Sequence, residues 1–155
     1  MTRKANKSPL SNALIILFAW ASLAVSCDNR DYLSSRSFED GCWEVKEVIE
    51  ADQELQGPGK LSLHLKFNPE YRFQNIYLQI RITDPQGKET EIVHNEVLSD
   101  PMGEWSVEAS GANYLFDLND LIEIPYTEAG TYAISVAQYM REEKLCGIEK
   151  VGILN

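Results

Sequence analysis

Leu61-Ser62-Leu63-His64-Leu65-Lys66-Phe67 places four apolar side chains on one face of an extended chain and three polar ones on the other. Ile76-Tyr77-Leu78-Gln79-Ile80-Arg81-Ile82 repeats the pattern. Because successive side chains of a strand point to opposite faces, both runs read as half-buried strands of an antiparallel sheet. Between the second run and a further strand expected over Glu89–Leu98 lies Asp84-Pro85-Gln86-Gly87. Pro presets φ and Gly accepts the positive φ of a tight turn, so a hairpin is expected there. Working outward, strands are expected near Trp43–Glu50, Asn113–Phe116, Leu121–Ile124, Thr131–Met140 and Glu149–Leu154. No stretch carries a persuasive amphipathic helix. Short strands separated by turn signals about every dozen residues predict an all-β fold, a single antiparallel β-sandwich of jelly-roll or Ig-like type. Glu128-Ala129-Gly130-Thr131-Tyr132 has the form of a tyrosine corner, in which the Tyr hydroxyl bonds to backbone a few residues upstream, so a structural role is expected for Tyr132.

The chain has 155 residues, 44% of them hydrophobic, which suits one globular domain with at most a short extension. Its 14 Lys+Arg against 24 Asp+Glu give a formal charge of −10. Such a surface repels phosphates, which excludes a nucleic-acid binder and disfavours a basic patch for anionic lipid.

Residues 1–26 stand apart. Arg3, Lys4 and Lys7 form a basic start, and Ala13–Val25 is an apolar run broken only by Ser22. The run is too short to span a hydrocarbon core, which needs about 20 residues, and fits a secretory signal peptide. It ends in Leu23-Ala24-Val25-Ser26-Cys27, which resembles a bacterial lipobox, so Cys27 is the expected site of lipid attachment and the membrane an expected partner through that lipid. The other reading is a signal peptide cut elsewhere, with Cys27 in a disulfide. Processing at Cys27 removes three bases and no acid, leaving 11 Lys+Arg against 24 Asp+Glu, a net of −13. Residues 27–37 are expected to form the lipidated Cys and a flexible tether with a reach of about 35 Å, and 38–155 the sandwich domain. The outer membrane is favoured over the inner.

With Cys27 acylated, Cys42 and Cys146 remain as an even pair in an oxidising compartment. A bridge between them is a possible disulfide, and two buried thiols are the alternative. Catalytic constellations are scarce. His64 and His94 lie 30 residues apart, and no HExxH, CxxC, DxDxDG, GxSxG or phosphate-cradling glycine loop is present. No metal or cofactor is implied, and a non-enzyme is expected. His64 falls at a polar position of its strand and is expected to face solvent.

Asn75-Ile76-Tyr77-Leu78, Asp84-Pro85-Gln86-Gly87-Lys88 and Leu98-Ser99-Asp100-Pro101-Met102-Gly103-Glu104-Trp105 occur in an order that resembles the gliding-motility lipoprotein GldH family of Bacteroidetes. The closing runs Glu128–Tyr132, Gln138–Glu142 and Leu145–Ile153 are the most specific part of that resemblance. It implies a lipid-anchored envelope component needed for gliding, linked to type IX secretion, with no established catalysis. Candidate partner contacts are Asp100, Trp105 and Arg141. Trp105 is expected to plug one end of the sandwich rather than anchor a partner, and Arg141 to pair with Asp100 or another carboxylate. Two function classes follow: a scaffold docking other envelope proteins, and, as the alternative, a lipid-anchored carbohydrate-binding module. Joint exposure of Tyr77, Trp105 and Tyr126 favours the module, and their burial the scaffold.

Overall fold

Strands with one apolar face leave water only by stacking that face on another, and the chain folds accordingly. The computed structural model describes residues 30–107 and 109–155, so the signal segment 1–26 and Cys27 lie outside the described residues. Among those described are eleven strands and no helix: β1 Tyr32–Ser37, β2 Cys42–Glu44, β3 Ile49–Leu55, β4 Lys60–Phe67, β5 Asn75–Thr83, β6 Glu89–Val97, β7 Ala109–Ser110, β8 Asn113–Glu123, β9 Gly130–Gln138, β10 Lys144–Cys146 and β11 Ile148–Leu154. One sheet has the order β1-β11-β4-β8-β7 and the other β3-β9-β5-β6, with a small β10-β2 ribbon beside them. All pairings are antiparallel. The alternating faces meet as expected for a β-sandwich: Leu61, Leu63, Leu65 and Phe67 of β4 are buried with Ile76, Leu78, Ile80 and Ile82 of β5 in one core.

Turn chemistry fixes the connections. Asp84 accepts the backbone N–H groups of Gln86 and Lys88 at 3.0 and 2.8 Å, closing the β5–β6 hairpin with Gly87 at φ 84°. The Tyr132 hydroxyl donates to the Glu128 carbonyl at 2.9 Å and accepts from the Thr127 N–H at 2.9 Å, the geometry of a tyrosine corner. Gly147, at φ 88°, links β10 to β11 where a Cβ would collide with the backbone of Tyr71. Cys42 and Cys146 face each other across the β2–β10 ribbon and are joined by a disulfide, with their Cα atoms 3.9 Å apart.

Four local expectations are corrected. The segment from Trp43 to Glu50 is not one strand, because Glu47 turns back: its N–H donates to the Glu44 carbonyl at 2.9 Å and its carbonyl accepts the Trp43 indole N–H at 2.8 Å. The runs Asn113–Phe116 and Leu121–Ile124 are not separate strands. Strand β8 runs through both as far as Glu123, absorbing the irregularity at Asp120, which adopts φ 54° and donates its N–H to Ser62 Oγ at 3.1 Å. Aspartate tolerates this left-handed conformation better than most residues.

The remaining two corrections are linked. The tether segment 27–37 is not flexible throughout, since Tyr32–Ser37 forms edge strand β1 against β11. Its bonding is mainly backbone to backbone, which leaves no apolar run to read. His64 does not face solvent but is 1% exposed, because β1 lays the Tyr32 ring against it at 6.0 Å between centroids. Gly152, the β11 partner of His64, makes room, since a Cβ there would collide with the Tyr32 ring. Lys150 Nζ lies 3.9 Å from the Tyr32 ring centroid, a cation–π contact. Asp117 of β8 binds His64 Nδ1 at 2.7 Å and accepts from Arg30 Nη2 at 3.0 Å. The first described residues are thus latched to the outer face of the sheet. Partial burial by itself would raise the Asp117 pKa, but the hydrogen bonds and charges of His64 and Arg30 outweigh it and hold the carboxyl below the ordinary range.

The disulfide and the latch yield separate tests. Cys42→Ser should lower stability by about 4–5 kcal/mol, the chain-entropy cost of reopening a loop of roughly 100 residues, read as a lower denaturation midpoint. A depressed carboxylate pKa gives stability that is present above the unfolded-state value of about 4 and lost as pH falls through the folded value. Hydrogen-exchange protection of β1, corrected for intrinsic rate, should therefore fall below about pH 4 before the core opens. Asp117→Asn should show the weakened protection already at pH 7. Protection of β1 unchanged in both experiments means that these contacts do not hold the strand.

Candidate functional site

Antiparallel register sorts the loops to two ends of the sandwich. The start of β1, the end of β11, the 56–59 connection and the Asp84–Gly87 turn share one end. The segments 68–74, 98–107 and 139–143 share the other. Every candidate contact residue named from sequence lies at this second end.

Asp100 organises its own turn. Its Oδ1 accepts the N–H groups of Met102 and Glu104 at 2.8 and 2.9 Å, and its carbonyl accepts the Gln74 amide at 2.9 Å. The turn returns the chain so that Ser99 bridges to Trp105, and Trp105 packs against the core half-buried. Its ring stacks on Tyr114 at 4.3 Å with 7° between planes, and lies 5.7 Å from Phe67 and 5.9 Å from Phe116. The ring thus packs over the adjoining ends of β4 and β8 in one sheet. Tyr126 is likewise half-buried and stacks on Tyr132 at 6.3 Å. Of Tyr77, Trp105 and Tyr126 only Tyr77 is exposed, so the three form no open aromatic row.

Arg141 is not paired with Asp100, whose Oδ1 is engaged by its own turn, and it makes no ion pair among the described residues. It lines a shallow cleft of ≈ 670 Å³ together with Phe73, Tyr77, Val93, Tyr139 and Glu142. Strand pairing sets this cleft. The Tyr139 N–H donates to the Tyr77 carbonyl at 2.8 Å, extending the β5–β9 ladder by one residue and placing the two tyrosines side by side. Asn95 lies opposite Tyr77 on β6, held by the Asn75 amide at 2.6 Å. The loop bearing Arg141 is pinned from inside by Gln138, which is 1% exposed. The Gln138 amide donates to the Glu142 carbonyl at 2.8 Å and its oxygen accepts the Met140 N–H at 2.8 Å. A second cleft of ≈ 800 Å³ adjoins through Phe73 and Glu142 and carries Arg72 and Cys146.

Sequence reasoning missed Phe73, Arg72 and Tyr139 as members of this face. A usable signal existed for one of them: like Tyr77 on β5, which sequence reasoning did single out, Tyr139 continues the solvent-facing parity of a strand, β9, whose alternate residues are buried. Large aromatics at that parity are either covered or waiting for a partner. As for chemistry, the His64 ring is buried beneath Tyr32 with its Nδ1 engaged by Asp117, whose carboxylate is itself exposed. His94 Nε2 lies 2.9 Å from Glu96 on β6. No group of three or more His, Cys, Asp or Glu among the described residues is placed to hold a metal ion.

Comparison with known proteins places these features in context. Residues 30–154 match the family described as GldH lipoprotein. A protein of Christiangramia forsetii named gliding motility lipoprotein GldH homolog is 29% identical over 99 residues, 59% of this chain. The match spans 61% of that relative's length. Among solved structures, a family 35 carbohydrate-binding module from Clostridium thermocellum covers 71% of each chain at 13% identity and a TM-score of 0.38. A CBM35 domain from Cellvibrio japonicus covers 70% of this chain and 64% of its own at 15% identity and a TM-score of 0.29. At such low overlap no ligand transfers from either to this chain.

The two aromatic groups of this end should respond differently to truncation. Trp105→Ala should cost about 3 kcal/mol, the lower part of the range for deleting a large core ring because one side is already wet. Tyr139→Ala should leave the melting temperature within a degree or two, as expected of an exposed side chain. Equal effects in thermal unfolding would show that the Trp105 ring is no plug.

Proposed function

Because the chain belongs to the GldH lipoprotein family, we propose that it is a non-catalytic scaffold of the cell envelope, anchored through lipid on Cys27, that docks another envelope protein in gliding-motility and type IX secretion machinery. The outer membrane is the proposed location. One observation carries the reading: Arg30 and Tyr32 are latched to the sheet only three and five positions after Cys27. At about 3.5 Å per residue, Arg30 stands no more than about 10 Å from the acylated residue. The end of the sandwich where β1 begins is thereby kept at the lipid. The opposite end, bearing Tyr77, Tyr139 and Arg141, is presented away from it.

A tether that reached about 35 Å would leave the domain free to tumble. Ordering most of it into β1 removes that freedom, which suits a part that holds something in a fixed direction. The acidity of the domain fits the same arrangement, since it discourages the domain from lying down on anionic lipid.

Labelled fatty acid should enter the wild-type protein and not Cys27→Ser, and the variant should become extractable from membranes by carbonate. With a photo-reactive residue in place of Tyr139, irradiated cells should give a discrete protein adduct in the outer-membrane fraction. The same residue in place of Lys88, at the opposite end, should not. Equal labelling of both proteins ends the anchor, and adducts to polysaccharide alone end the scaffold in favour of a carbohydrate-binding module.

A further inference from the structure

Eight large hydrophobic side chains are markedly exposed among the described residues, and five of them, Phe73, Tyr77, Val93, Val97 and Tyr139, share the β5–β6–β9 side of one end. Scattered apolar residues need no explanation, but a cluster on one face marks a contact surface. The mixture narrows the occupant. A sugar stacks on aromatic faces and bonds to polar groups around them, and finds little in Val93 and Val97. Tyrosine and arginine among aliphatic side chains are instead the composition of protein interfaces.

Charge narrows it further. In a chain with 24 acids to 14 bases, a basic side chain finds a carboxylate easily. Arg30, Arg36, Lys46, Lys66, Arg81 and Lys144 all do so. Lys60, Lys88, Arg72 and Arg141 make no ion pair among the described residues, and of these four the two arginines line the adjoining clefts, which share Phe73 and Glu142 and carry Glu70 at the Arg72 side. Two guanidinium groups left open beside an apolar face are suited to bidentate capture of carboxylates. We infer that this face docks an acidic segment of a partner protein, one carrying carboxylates next to aromatic or aliphatic side chains. The aromatic floor receives the apolar residues, and Arg72 and Arg141 receive the acids.

Pairing along the neighbouring sheet edge is a poorer route for the same segment. Strand β6 carries Glu89, Glu91 and Glu96 and no base but His94, whose ring is already engaged with Glu96. An acidic strand laid beside it would meet like charge, and half-buried charged residues on an edge strand discourage addition. The segment therefore lies across the face rather than along the edge.

The inference rests on the scaffold reading and names the chemistry of its partner. Its test uses the full lipidated chain in nanodiscs, panned against a random dodecapeptide phage library, with Arg72→Glu/Arg141→Glu and Tyr139→Ala in parallel. Selected peptides should be rich in Asp and Glu beside Tyr, Phe or Leu. They should bind the double charge-reversal variant about tenfold or more weakly, lose affinity as salt rises, and bind Tyr139→Ala more weakly than wild type. Both arginines are exposed and make no ion pair among the described residues, so the double variant should melt at the wild-type temperature. Basic or uncharged selections, no selection, or equal binding by the double variant overturn the inference. So does a concentration-dependent dimer that blocks the face, which would make a second copy the occupant. Binding of hexagalacturonate lost in the same variants, with no peptide selected, assigns the face to an acidic sugar and equally overturns it. Failure of the scaffold is read separately: a protein adduct at Tyr139 with no acidic preference leaves the scaffold standing and removes only this partner chemistry.

Discussion

Burial of two apolar faces against each other is the constraint on which the remainder of this protein depends. Strands β4 and β5 each commit four large side chains to the interior, and β9 and β11 add Ile134, Val136, Val151 and Ile153 from the two sheets. A strand with period-two alternation cannot slip by one residue without exchanging its wet and dry faces, so the core sets register throughout. The face proposed for docking is then carried on what the core leaves over. Outward parity on β5 and just beyond β9 supplies the tyrosines, and loops at one end supply the arginines.

The alternation was legible in the chain for the same reason. Leu61–Phe67 and Ile76–Ile82 could be assigned from their spacing, and the Asp84–Gly87 turn and the Tyr132 corner from local chemistry. Strand β1 was not legible, because it is held mainly by backbone pairing and one ring contact, and neither leaves a hydrophobic pattern. His64 illustrates the cost of that omission. Its own strand places it outward, and only the arrival of Tyr32 over Gly152, remote in sequence, covers it. Arg141 failed differently. Pairing with Asp100 was reasonable on charge, but Asp100 holds its Oδ1 against the Met102 and Glu104 N–H groups of its own turn, and the two side chains do not meet. The expected trio of aromatics split along the same line, since stacking on Tyr114 and Tyr132 draws Trp105 and Tyr126 inward while no such neighbour claims Tyr77.

The two ends of the sandwich therefore differ in kind. One is tied to the chain's entry point by Arg30, Tyr32, His64, Asp117 and Lys150, a set that combines ionic, aromatic and hydrogen-bonded contacts on a single patch of sheet. The other is braced by the Cys42–Cys146 bridge and the buried Gln138, which hold the loops around the clefts. A rigid frame beneath an open face reduces the ordering cost of binding.

The position of β1 has a mechanical consequence. It enters at one end of the sandwich and runs along β11 toward the other, with Tyr32 beside Leu154 and Ser37 beside Lys150. On the proposed reading, a pull between a lipid at Cys27 and a partner at the far end would be directed along these strands, while their hydrogen bonds lie across them. The ladder is then loaded in shear, with its bonds sharing the force together, and not peeled open one bond at a time. Under the proposed anchoring, the placement of β1 would let such a load be carried by the whole ladder.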